Sequence, residues 1–174
     1  MKTGRMLALL AAAVAFAGCG TYSWRPSVPE GMRTVSVPVF RNESNVTELG
    51  SVAARQIARE FQRDGTFRLA PSGEAAIEIQ GVVKSTTSGF LGGNRKSGMR
   101  SAEFKYLLVA EVSVVDKRNG RVLIDGREYR AETSFMVGDD LQTALREHSG
   151  RLAEALAEQV VDDVLGYKWQ EGAR

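Results

Sequence analysis

AEFKYLLVAEVSVVDKRNGRVLIDGREYRAETSFMV, residues 102–137, is the stretch that decides the fold. From Ala102 to Asp116 the side chains alternate, with Phe104, Tyr106, Leu108, Ala110, Val112 and Val114 on one side. That period of two belongs to a long strand with one buried face. Lys117 to Gly120 ends in Asn-Gly, the strongest short signal for a hairpin. Arg121 to Val137 then returns with Tyr129, Ala131, Thr133 and Phe135 in phase. The centre of the chain is therefore an antiparallel pair of unusual length.

Upstream, Ala75 to Lys84 alternates in the same way, with Ile77, Ile79, Gly81 and Val83 facing one side. Ser85 to Ser101 is polar and glycine-rich and reads as a loop, mobile at its centre. Asn42 to Asp64 reads as a helix: Val46, Leu49, Ala53, Ile57 and Phe61 recur at three- and four-residue steps, Ser44 or Asn45 can cap it, and Gly65 stops it. Gly50 weakens its first turns. Thr34 to Phe40 alternates through Val35, Val37 and Val39. Pro38 puts this strand at an edge or near its end, because proline cannot donate to the ladder.

Downstream, Asp139 or Asp140 caps a second helix whose apolar stripe is Leu141, Leu145, Leu152, Leu156, Val160 and Val164, closed by Gly166. The order β-α-β-β-β-α predicts an α+β two-layer sandwich, with two helices on one face of a four-stranded mixed sheet. The first two strands are parallel if they are neighbours. The other face carries Glu78, Gln80, Lys84, Lys105, Glu111, Ser113, Glu128, Arg130 and Glu132, which suits water or a polar partner. Val82, Leu107, Val109 and Val115 interrupt it, either as a partner surface or as positions buried under a loop or the N-terminal segment.

The N-terminus divides into three zones. Met1 to Met6 carries Lys2 and Arg5 and no acid, Leu7 to Phe16 is an apolar run, and Ala17-Gly18 lead to Cys19. This is the pattern of a secretory signal, and the run is too short to span a bilayer, which needs about 20 residues. Phe16-Ala17-Gly18-Cys19 resembles a lipobox, which makes residues 1–18 a lipoprotein signal peptide and Cys19 the lipidated first residue of the mature chain. Acyl chains anchor stably once two or more are present. Residues 19–33, with Pro26, Pro29 and Gly31, read as a leash to the domain at 34–169, and residues 170–174 as a tail. Gly20, where an Asp would favour the inner membrane, points to the outer one.

The chain has 23 Lys and Arg against 21 Asp and Glu. Loss of Lys2 and Arg5 with the signal leaves the mature protein neutral, which argues against nucleic acid as a partner. One cysteine and one histidine, His148, cannot assemble a zinc set or give a clear catalytic triad. Gly89 to Gly98, GFLGGNRKSG, lacks the spacing and the ending of a phosphate loop. The residues thus predict no enzyme, no metal and no cofactor. From Gln80 to Ala102 there is no acid, while Lys84, Arg95, Lys96 and Arg100 are present. That stretch is either an anion-binding loop for phosphates or carboxylates or simply a solvated one.

Taken together, Cys19-Gly20-Thr21-Tyr22, Val35 to Asn42 (VSVPVFRN) leading into a helix, Ile77 to Gly81 (IEIQG), the Tyr106 to Asp116 strand and Tyr167-Lys168-Trp169 resemble the LptE family of lipopolysaccharide-assembly lipoproteins. The mature start departs from it in having Thr21 before Tyr22. The resemblance implies an anchor in the inner leaflet of the outer membrane and a place in the lumen of a β-barrel lipopolysaccharide translocon, as plug and assembly factor. It also implies lipopolysaccharide binding, for which Arg95, Lys96, Arg100 and Lys105 stand in position. The competing expectation is a lipid-anchored periplasmic module for envelope assembly or ligand binding, unrelated to lipopolysaccharide.

Overall fold

The structure is a computed structural model that describes residues 28–94, 101–137 and 140–169. After a 3-10 turn at Glu30–Met32 come β1 (Thr34–Ser36), β2 (Arg41–Asn42), helix α1 (Leu49–Asp64), β3 (Arg68–Leu69), β4 (Ile77–Asn94), β5 (Ser101–Asp116), β6 (Arg121–Val137) and helix α2 (Leu141–Leu165). The strands form one mixed sheet in the order β3-β1-β4-β5-β6, with β2 also paired to β4. β1 runs parallel to β4 through Val35↔Ile77 and Ser36↔Glu78, as the intervening helix requires. β4, β5 and β6 form the antiparallel meander. The α+β class and the two helices on a mixed sheet stand as expected. The sheet has six strands rather than four, because two-residue strands β2 and β3 leave no periodic signature.

The two long sequence strands are realised almost to the residue. On β5 the even-numbered positions from Tyr106 to Val114 are buried, and on β6 Tyr129, Ala131, Phe135 and Val137. Against them lie Ala53, Ile57 and Phe61 of α1 and Leu152, Leu156, Val160 and Val164 of α2, all buried. Each such Leu, Ile, Val or Phe contributes about 1.5–3 kcal/mol by leaving water. α2 buries a second stripe, Ala153, Ala157 and Val161, because it packs on α1 as well as on the sheet. A helix with two neighbours needs a wide apolar face. Asp140 is its cap, accepting from the Gln142 amide at 2.9 Å and the Thr143 amide at 3.2 Å. Gly166 ends it in ordinary right-handed geometry, whereas Gly65 ends α1 at φ 78, where glycine carries no steric penalty.

Three local expectations are corrected. The strand read as Thr34 to Phe40 stops at Ser36 and pairing resumes at Arg41. Pro38 sits in the gap, where its missing N–H costs no ladder bond. The helix read from Asn42 starts at Leu49 instead, and Glu48 at its start holds a left-handed φ of 67 with no side-chain cap. Asn42 and Ser44 close a turn of their own: the Ser44 amide donates to Asn42 Oδ1 at 3.0 Å, and Asn42 Nδ2 donates to the Val46 carbonyl at 2.8 Å. Such side chains compete with the helix for backbone groups. Most consequentially, Ser85 to Asn94 is strand, not loop. β4 runs on beside β5 to Asn94↔Ser101, with register shifts at Val83/Ser85 and Phe90/Gly92. The expected mobile centre, residues 95–100, lies outside the described residues.

Glu78 was expected on an open, wet face but is buried, as is Asp116. Gln80 Nε2 donates to Glu78 Oε1 at 2.9 Å, and Lys117 Nζ lies 3.3 Å from Glu78 Oε2. The Arg118 side chain and amide bracket Asp116 at 2.8–3.0 Å. Hydrogen bonds, from Gln80 first for Glu78 and from Arg118 first for Asp116, hold both carboxyls below their ordinary values against the opposing effect of burial. A depressed folded pKa contributes stability above the unfolded value, and that contribution is lost as pH falls through the folded value. The urea midpoint is therefore expected to drop between about pH 5 and pH 3, and Glu78→Gln to flatten part of that drop. An equal slope in the variant would assign the acid sensitivity elsewhere.

Candidate functional site

The long sheet has two unlike ends. At the near end, residues 28–33, the start of β4 and the 117–120 turn come together: the Lys117 amide donates to the Ala76 carbonyl at 2.8 Å, and Gly31 lies under the Arg118 guanidinium. From there β4 advances by seventeen steps of about 3.3 Å, so its far end lies about 55 Å away. α1, with 16 residues, is only about 24 Å long and cannot cover that distance.

At the far end the helix-side row is aromatic. Phe90, Phe104 and Phe135 are cross-strand partners. Phe90 and Phe104 meet edge to face at 5.8 Å, and Phe135 contacts Tyr106 at 6.3 Å. His148 of α2 stacks on Phe135 at 4.2 Å and 17°. The row passes from buried Tyr106 to Phe90, which is 65% exposed. Leu91 at 54% and Met136 at 59% are also exposed there. The hydroxyl of Tyr106 and Nδ1 of His148 are buried without a hydrogen-bond partner among the described residues. Burial raises the Tyr106 pKa, with the neighbouring Thr86 hydroxyl opposing it. His148 thus has a packing role in the structure, with no acid or nucleophile among the described residues bonded to it.

Of the residues expected to bind lipopolysaccharide, Lys105 is described. It lies exposed on the face away from the helices, with Nζ 2.6 Å from Glu132 Oε2. Arg95, Lys96 and Arg100 lie outside the described residues, as does Cys19. In sequence those three cations fall between Asn94 and Ser101, which are paired at the far end.

Several other charges of the open face are neutralised in pairs. Arg130 pairs with Glu128, Lys84 with Glu43 at 2.9 Å, and Arg41 with the same Glu43. Val82, Leu107, Val109 and Val115 are half-buried in it. A cavity of about 490 Å³ opens on this face between Pro38, Val39, Gln80, Val82 and Glu111. Sequence reading missed the apolar far end because Phe90 and Leu91 sit in a glycine-rich stretch. It also missed the ties that fasten α2: Tyr129 Oη donates to Asp163 Oδ2 at 2.9 Å and Arg127 bonds the same oxygen at 2.6 Å. Among the described residues no three His, Cys, Asp or Glu side chains are grouped to hold a metal ion, and no helix is long and apolar enough to cross a membrane.

Residues 32–165 match the family LptE, lipopolysaccharide-assembly. No curated protein matches the chain. Among solved structures, the chain is similar to a minor lipoprotein from Acinetobacter baumannii at 12% identity, covering 76% of this chain and 92% of that one, with a TM-score of 0.45. It is similar to PelC, a dodecamer from Paraburkholderia phytofirmans, at 17% identity, 80% and 92% coverage and a TM-score of 0.41. It is also similar to lipoprotein GNA1162 from Neisseria meningitidis at 13% identity, 74% and 98% coverage and a TM-score of 0.40.

Proposed function

Because the chain belongs to the LptE family of lipopolysaccharide-assembly lipoproteins, we propose that it is anchored through Cys19 to the periplasmic side of the outer membrane, where it plugs and helps assemble a β-barrel translocon and binds lipopolysaccharide at the far end of its sheet. The family is one of envelope assembly factors rather than enzymes. The observation that carries the binding site is the chemistry of that end: exposed Phe90 and Leu91 lie in the same acid-free stretch of sequence as Arg95, Lys96 and Arg100, and exposed Met136 stands on β6, paired with Glu103 of β5. Lipopolysaccharide presents phosphates beside acyl chains, so a site for it needs cations and apolar surface together. Arg and Lys meet phosphates through charge-assisted bonds. Lys105, already held by Glu132, contributes least.

The open face supports the plug reading. Most of its charges pair with one another, through Lys84–Glu43, Lys105–Glu132 and Arg130–Glu128, which leaves a polar surface of low net field along much of the sheet. The interior of a large barrel is polar as well, so such a face packs there without burying an uncompensated charge.

Arg95→Glu combined with Lys96→Glu is expected to weaken lipopolysaccharide binding by about 10- to 100-fold, the loss of two charge-assisted contacts, with the circular dichroism unchanged. Affinity purification of the acylated chain from outer membranes is expected to recover a large β-barrel at a one-to-one ratio. Unchanged binding in the double variant would remove the segment from the site. Recovery without a barrel, with Cys19 modified, would leave an anchored envelope module of another pathway.

A further inference from the structure

Beyond Lys84 no strand among the described residues covers the outer edge of β4. β1 covers Ile77–Glu78 and β2 covers Val82–Val83, and the Glu43 amide donates to the Val83 carbonyl at 2.8 Å. The last tie is from a side chain: Thr86 Oγ1 donates to Asn45 Oδ1 at 2.7 Å. From Thr87 to Asn94, β4 pairs with β5 on one side and with no strand among the described residues on the other. An unpaired row of N–H and C=O groups is a template for another strand, and folded proteins normally guard it with charges, proline or a covering element.

The opposite edge of the same sheet is guarded. β6 carries Arg127, Glu128, Arg130 and Glu132, all exposed, and Gln159 of α2 reaches across to donate to the Arg130 carbonyl at 3.0 Å. Beyond Lys84, β4 has none of these devices among the described residues. Ser85 to Asn94, STTSGFLGGN, contains no charge and no proline, and Phe90 and Leu91 stand exposed on it. Gly89 has no internal reason to be glycine: its φ is not positive and open space surrounds the missing Cβ. A strand glycine of that kind fits the close approach of another backbone.

We propose that the β4 edge from Thr87 to Gly92 receives an extended strand of a partner polypeptide, enlarging the sheet by one. Only an extended backbone supplies donors and acceptors in alternation along such an edge, which excludes a lipid or a sugar as its occupant. A second copy of this chain is disfavoured by charge. Antiparallel self-pairing of Ser85–Asn94 would bring the like charges of Lys84 and Arg95 into register at both junctions. The partner strand is therefore uncharged over its centre and acidic at its flanks. This inference stands whether or not lipopolysaccharide binds at the far end.

Hydrogen exchange on the full mature chain tests it. The probe is a soluble peptide of alternating Thr and Val closed by Asp at each end, and the control replaces each Val with Pro. The first peptide is expected to slow exchange of outward amides between residues 86 and 92 by about tenfold or more, and the control to leave them unchanged. Thr87→Lys, a guard of the kind β6 carries, is expected to abolish the protection while circular dichroism stays the same. Absence of slowing, or equal slowing by the proline peptide, would overturn the proposal. So would protection without any peptide: in a concentration-dependent dimer it would assign the edge to a second copy, and in a monomer to the chain's own residues 19–27.

Discussion

Trp169→Ala is expected to destabilise the protein by about 3–5 kcal/mol, the range for deleting a buried aromatic. Trp169 lies beyond the end of α2 yet is among the largest fully buried side chains, at 1% exposure. Its ring meets Phe67 at 5.5 Å and Tyr167 at 5.1 Å, and Phe67 in turn meets Phe61 of α1 edge to face at 5.5 Å. Its Nε1 donates at 3.1 Å to the carbonyl of Val164 in the last turn of α2, which also accepts the Tyr167 amide at 3.3 Å. One side chain thus joins the last turn of α2 to α1 and to the segment after it. A domain of this size loses about 2–4 °C per kcal/mol, so the thermal midpoint is expected to fall by about 10 °C. Trp169→Phe, which keeps most of the ring, is expected to recover more than half of the loss. A melt within about 1 kcal/mol of the parent would show that the C-terminal segment is not part of the core.

Gly50→Ala is expected to cost about 3 kcal/mol, the upper range for forcing a methyl into packed structure. A Cβ at position 50 would lie 2.2 Å from the Phe40 carbonyl oxygen and 3.1 Å from its carbon, which are backbone atoms that no rotamer change can move. The same Phe40 lays its ring against Gly81, where a Cβ would come within 2.2 Å of it. Two glycines therefore seat Phe40, which is 3% exposed, between α1 and β4. Gly150 supplies the control. It lies in α2 with nothing within 4 Å of its missing Cβ, so Gly150→Ala is expected to add about 0.5–1 kcal/mol from helix propensity alone. Urea melts of the two variants, moving in opposite directions, check the argument. Equal shifts would mean that Gly50 is a poor helix residue and nothing more.

Gly50 also marks the boundary of what the residues could reveal. Read along the chain it is a weak point in a helix, because propensity is a local quantity. Its use becomes visible only when Phe40 arrives from a segment ten residues away. Glu78 is similar: period two assigned it to the wet face, and Lys117, from a turn thirty-nine residues later, buries it. The far end of β4 is the largest such case. STTSGFLGGN has neither alternation nor many good strand formers, and its extended state comes from pairing with Ala102–Val109, whose own pattern is strong. Tertiary partners override propensity in this way at sheet edges especially. The proposed far-end site was legible as cations without acids, while the exposed Phe90, Leu91 and Met136 were not.

By itself the sequence determined the parts governed by short-range rules. These were the two long strands and their Asn-Gly hairpin, the apolar stripes of both helices, the glycine stop at Gly65, an aspartate cap at Asp139 or Asp140 and the expectation of an exported, lipid-modified chain. Each depends on a periodicity or on a residue's own stereochemistry, which neighbours in sequence are enough to express. Only the tertiary structure decided the extra short strands, the seat of Phe40, the burial of Glu78 and Trp169, and the reach of β4 to an unguarded edge. Those depend on contacts between residues far apart in the chain, whose energies exist only once the backbone has brought them together.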